Sequence, residues 1–112
     1  MILETLPLDI SQIKYRPEIF ITEIKETPYR FEFSYNIYDH KFYVNIYEDL
    51  TGSSIIEGRK LIYAEDLMNL SPLNFKIIPL DFSGRNNGIT YDNLTSEIKL
   101  YILFVKDGGS SV

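Results

Sequence analysis

The 112-residue sequence contains no cysteine, no tryptophan and a single histidine. Without cysteine there is no disulfide framework, no thiolate metal site and no thiol nucleophile. The lone histidine, His40, leaves little room for imidazole chemistry, since catalytic triads and most catalytic metal sites need a nucleophile or further ligands beside it. His40 follows Asp39 in a short polar break, so a solvated turn is the expected setting. Long apolar runs are also missing, and nothing approaches the length of a membrane-spanning helix. The start, Met1-Ile2-Leu3-Glu4-Thr5, lacks the basic region and apolar run of a secretory signal, so a soluble protein made in a cytoplasm is expected. Cations are scarce as well. There are 11 Lys and Arg against 16 Asp and Glu, for a net charge of -5, and the basic residues are scattered. Nucleic-acid binding draws on clustered cations that release counterions, so neither nucleic acid nor membrane is an expected partner.

What the sequence does have is aromatic rings: 9 Tyr and 7 Phe, in a chain that is 45% apolar. Tyrosine in such numbers suits strands and contact surfaces, where the ring is buried and the hydroxyl reaches water or a partner. The length is that of one domain, and roughly two-thirds of its surface can be buried on folding, enough for a core without staples.

Periodicity predicts strands nearly everywhere. In Tyr29-Arg30-Phe31-Glu32-Phe33-Ser34-Tyr35-Asn36, four rings alternate with four polar residues, the pattern of a half-buried antiparallel strand. Lys41 to Tyr47 follows with Phe42, Val44 and Ile46 on one face and Tyr43, Asn45 and Tyr47 on the other, close enough to form a hairpin. Further strands are expected at Ile2 to Leu6, Ile19 to Lys25, Ser54 to Glu57, Arg59 to Tyr63, Phe75 to Leu80 and Ile98 to Val105. The last is almost continuously apolar and reads as a central strand. Thr27-Pro28, Gly52-Ser53, Gly58, Ser71-Pro72 and the flexible-looking Ser83 to Gly88 read as turns or loops. One or two helical turns at most are expected near Glu65 to Leu70. The fold class is therefore all-β, a small antiparallel barrel or sandwich of about seven to eight short strands. A single domain is expected over 1–106, with a flexible tail at 107–112.

No constellation of catalytic residues stands out. Glu48-Asp49 suits a turn, and Glu65-Asp66 suits the start of a helical turn, where negative charge is favoured. Ser83-Gly84-Arg85-Asn86-Asn87-Gly88 lacks the Lys and Ser/Thr that a phosphate-binding loop carries after its last glycine. No catalytic residue, cofactor or metal ligand is assigned, and an enzyme is not expected. Tyr91, Asp92, Asn93 and Leu94 form the segment of most interest. They read either as a corner setting the register of the last strand or as a loop that contacts a partner, and all four are the candidate partner-contact residues.

The run Pro28 to Asn36, a short turn, and then Phe42-Tyr43-Val44-Asn45-Ile46-Tyr47-Glu48-Asp49 resembles the central hairpin of the phage baseplate plug family, small proteins of contractile-tailed phages, prophages and tail-like bacteriocins. Other pieces follow in the family's order: Leu6-Pro7-Leu8-Asp9; Phe20, Thr22 and Ile24; Gly52, Ile55-Ile56, Gly58 and Leu61; Asp66-Leu67; Ile78-Pro79-Leu80-Asp81; and Thr90-Tyr91-Asp92-Asn93-Leu94 before Leu100-Tyr101. The family favours glycine where this chain has Thr95, and an Asp-Gly turn where it has Asp39-His40; Met68 to Lys76 departs from the pattern. The resemblance implies a structural component of the tail baseplate, at the hub and spike end of the tail tube, with no catalytic residues and no cofactor. Its implied partners are hub, spike, tube-end or wedge proteins, and copies of itself around the tail axis. On the residues alone, a non-catalytic adaptor of another assembly and a carbohydrate-binding module with tyrosine platforms remain open.

Overall fold

The computed structural model describes residues 4–69, 71 and 73–104. Seven strands follow one another: β1 (Glu4–Thr5), β2 (Glu18–Ile24), β3 (Thr27–Asn36), β4 (Lys41–Glu48), β5 (Ser54–Lys60), β6 (Phe75–Leu80) and β7 (Lys99–Phe104). They form two antiparallel sheets, one ordered β2-β3-β4-β5 and the other β1-β7-β6. The sheets do not close on one another, so of the two expected architectures the molecule has the open one, a sandwich. The expected strand residues Ile2, Leu3 and Val105, and the expected tail at 107–112, lie outside the described residues.

Alternation along the central hairpin builds the core. Tyr29, Phe31 and Phe33 of β3 and Phe42, Val44 and Ile46 of β4 are buried, with Phe31 and Phe33 wholly inaccessible. The register places Phe31 opposite Ile46 and Phe33 opposite Val44. Phe20 of β2 stacks on both rings, at 5.3 Å from Phe31 and 5.9 Å from Phe33. Phe75, Ile77, Leu100 and Ile102 close the core from the other sheet, and the Tyr29 ring meets Phe75 at 5.5 Å across the interface. β7 lies between β1 and β6, the central place that its apolar run predicts. Its other face is partly covered, with Phe82 packed on Tyr101 at 4.7 Å.

Three local expectations are corrected. First, Thr27-Pro28 opens β3 rather than forming a turn. The turn is Lys25-Glu26, both with positive φ (50° and 69°), between Ile24 and its partner Thr27. That is the backbone of a two-residue hairpin whose twist matches its strands. Pro28 is tolerated because its N–H would fall beyond the end of β4, and its carbonyl accepts a bond from Asp49 N at 2.9 Å. Second, Gly58 does not separate two strands. It lies within β5 at φ 60°, where the β4–β5 register shifts, and so forms a bulge. Of the second expected strand, Arg59 to Tyr63, only Arg59 and Lys60 are strand, as the end of β5, and Leu61 to Tyr63 lie beyond it. Third, there is no helix among the described residues, and 64–69 is a succession of turns. Ala64 has φ 64°, and the N–H groups of Ala64 and Leu67 bond to Pro79 O and Ile77 O of β6 instead of to their own turn. Asp66 Oδ1 accepts from Met68 N and Ile77 N, fastening the segment along the β6 edge. Leu70, the end of the expected helical stretch, lies outside the described residues.

Candidate contact surface

The segment 81–98 connects β6 to β7, and its polar residues are turned onto one another. Asp81 directly follows β6 and is buried. Its Oδ1 accepts from Ser83 N (2.8 Å) and Ser83 Oγ (2.6 Å), and its Oδ2 accepts from Asn86 N (3.0 Å) and Asn86 Nδ2 (2.8 Å). The Ser83 hydroxyl above all, with Asn86 and the two backbone N–H groups, holds this carboxyl down to about 2. The Tyr63 hydroxyl accepts from Asp81 N at 3.1 Å. The Ser83 to Gly88 stretch, expected to be flexible, is thus tied down at its base.

The second knot is Asn93, also buried. Its Nδ2 donates to Gly88 O (2.9 Å) and Asn86 Oδ1 (3.3 Å), and its Oδ1 accepts from Thr90 N (2.8 Å). Its carbonyl accepts from Glu97 N and from Ile98 N, just before β7 begins. Leu94 is 1% exposed and makes an isolated bridge to Ile98. On the outside, Arg85 reaches Glu97 Oε2 at 2.8 Å, and this contact lowers the Glu97 carboxyl below its usual range.

The four candidate residues therefore divide. Asn93 and Leu94 point into the molecule and hold the corner, while Asp92 is exposed and Tyr91 is half-buried. The Tyr91 ring meets Tyr35 edge-on at 5.5 Å and carries Lys14 Nζ 4.1 Å above its centre. Tyr35 in turn links to the β3–β4 turn, its hydroxyl 3.1 Å from His40 Nδ1. In that turn, Asp39 accepts from Lys41 N and from the Tyr43 hydroxyl, which lowers the Asp39 carboxyl and raises the Tyr43 phenol. His40 occupies an exposed turn, as expected, and its ring is held by Tyr35. A continuous rim thus runs from Asp39 through His40, Tyr35 and Tyr91 to Asp92.

Sequence reasoning missed Asp81 and Asp66 as organisers of the loops. Each is an Asp whose side chain bonds the backbone two residues on, in Asp81-Phe82-Ser83 and Asp66-Leu67-Met68, so a search for Asx turns would have found them. Among the described residues no cluster of His, Asp or Glu is arranged to hold a metal ion.

These features define a class of protein: a small two-sheet β scaffold whose polar side chains brace its loops and whose rim presents tyrosines and charges outward. A family model described as "Cyanophage baseplate Pam3 plug gp18" matches residues 3–105. The chain belongs to this family and is a structural baseplate component of the phage tail. No curated protein resembles the sequence closely enough to count as a match.

Proposed function

We propose that this chain packs at the hub and spike end of the tail tube, as one β unit without catalytic activity, in contact with hub, spike, tube-end or wedge proteins. The observation that supports this reading best is the baseplate plug match, which spans residues 3–105 and so takes in the whole described fold. The site is consistent with it, because a part that fills a fixed place in an assembly needs rigid contact loops. The Tyr91 to Leu94 corner is the proposed contact, with Tyr91 and Asp92 facing the partner and Asn93 and Leu94 bracing them from below. The free chain reaches the virion tail after synthesis in the host cytoplasm.

The test is capture of tail proteins by the tagged chain from induced lysate, read by mass spectrometry, with Asp92→Arg as the contact variant. Asp92 is exposed, so charge reversal there leaves the fold in place. Wild type is expected to recover hub, spike or wedge proteins, and Asp92→Arg to recover markedly less of them. Intact tail particles that lack the chain would overturn the baseplate position. Undiminished capture by Asp92→Arg would overturn the corner as the contact.

A further inference from the structure

A sheet edge left open is a template for another strand, and proteins normally blunt such edges with bulges, charges, shortness or cover. Three of the four edges here are blunted. β1 has two residues, β5 is bulged at Gly58, and β6 is covered by the 64–67 turns, which bond its carbonyls. β2 is different. It runs straight for seven residues, and among the described residues no backbone hydrogen bond from outside its sheet reaches it.

The groups on its open side can be identified. Pro28 O bonds Asp49 N beyond β4, so it faces away from β2, and the Glu23–Pro28 pair is not hydrogen-bonded. Hydrogen-bonded and non-hydrogen-bonded pairs alternate in an antiparallel ladder. The N–H and C=O groups of Ile19, Ile21 and Glu23 therefore point outward from the edge. Their side chains share the sheet's outer face, where Ile19 is 55% and Ile21 57% exposed. The neighbours across the register, Glu32 and Arg30, bond to each other at 3.1 Å rather than screening the isoleucines.

We propose that this edge pairs with the same edge of a second copy of the chain, antiparallel and centred on Ile21. The favoured occupant follows from charge. Arg16 precedes the strand, and Glu23 and Glu26 lie at its far end. All three are exposed, and none has an ion-pair partner among the described residues. An antiparallel copy places Arg16 of each chain opposite Glu26 of the other, whereas a parallel copy stacks like on like. Centring on Ile21 sets Ile21 against itself and Ile19 against Glu23, so every outward group of the three residues finds a partner. It also gathers the four isoleucines into one cluster. Two seven-residue edges bury less than about 1,000 Å² in such a contact, so the association is weak and rises with concentration. This pairing does not depend on where in the tail the chain sits.

The absence of native cysteine makes the test direct. Opposed residues of a hydrogen-bonded antiparallel pair have Cα atoms about 5.5 Å apart, within disulfide range. Ile21→Cys in the full chain is expected to form a covalent dimer under mild oxidation much faster than Leu50→Cys, a control in the β4–β5 turn that is the more exposed of the two (79% against 57%). Sedimentation of the unmodified chain should show a monomer–dimer equilibrium that Ile21→Lys abolishes, with an unchanged circular dichroism spectrum. A chain that stays monomeric at its highest soluble concentration, or equal cross-linking of the two cysteine variants, overturns the proposal. Dimers that persist in Ile21→Lys also overturn it, because they would form through another face.

Discussion

Among the described residues, five other than glycine adopt positive φ, and two of them stand where the resemblance leads one to expect glycine: Thr95 at 71° and His40 at 58°. A β-branched side chain is the worst fit for the left-handed region, where its Cβ substituents crowd the backbone. Thr95 is held there by its N–H bond to Ile98 O at 2.8 Å, at the entry to β7. Thr95→Gly is expected to raise stability by about 1 kcal/mol in denaturant unfolding, the strain relieved outweighing the added freedom of the unfolded chain. The resemblance marks both positions as departures, but residue identity alone does not disclose the backbone angle behind them. Asp81 carries a prediction of a different kind. Its carboxyl titrates at about 2 in the folded chain against an ordinary value of 3.8, so its hydrogen bonds stabilise the fold fully above about pH 4. That contribution is lost as the pH falls toward 2, below which folded and unfolded chains hold the proton alike. Asp39 and Glu97 shift in the same direction. Unfolding midpoints should therefore drop over that acid range, and Asp81→Asn should flatten the drop while lowering stability at neutral pH.

Among the elements, those with strict alternation are legible in the sequence itself. β3 and β4 appear within a residue or two of their expected ends, because rings at every second position can be buried together only on a strand. The breaks between elements are harder to read. Lys-Glu is not a turn dipeptide, whereas Thr-Pro looks like one, so the pattern places the β2–β3 turn two residues late. In the fold the hairpin geometry prevails, forcing both residues into the left-handed region. Replacing the pair by Lys25→Asn with Glu26→Gly gives that turn the residues it favours. Thermal unfolding should then show a gain of about 1 kcal/mol, less a few tenths for the lost contact of Lys25 Nζ with the Phe104 ring at 5.2 Å. The segment 64–69 misleads for a related reason. Its composition permits a helical turn, but the N–H groups of Ala64 and Leu67 are claimed by β6, a partner far along the chain that local pattern does not reveal. The candidate site is half legible. The turn chemistry of Asp92-Asn93 identifies a corner, while the inward turn of Asn93 and Leu94 depends on Gly88 and Ile98, which only the fold brings beside them.

For the molecule as a whole, the two sheets differ in how they are threaded. One is a meander of neighbours, β2 to β5, whereas the other takes its central strand from the last element and one edge from the first. A chain ending at Ser96 retains every residue of the meander but lacks Ile98, Leu100 and Ile102, which close the core. It is expected to lose cooperative unfolding and protease resistance, even though its central hairpin is intact. On the ribosome the same threading becomes a matter of timing. The aromatic face of the meander can form as soon as β5 emerges, but its cover is complete only with β7, which ends more than forty residues later. At about 5–20 residues per second that delay lasts on the order of a few seconds. Throughout it, Phe31, Phe33 and their neighbours are open to whatever apolar surface is nearby, so the cell's holding chaperones, rather than the tail, are the first partners this fold has to satisfy.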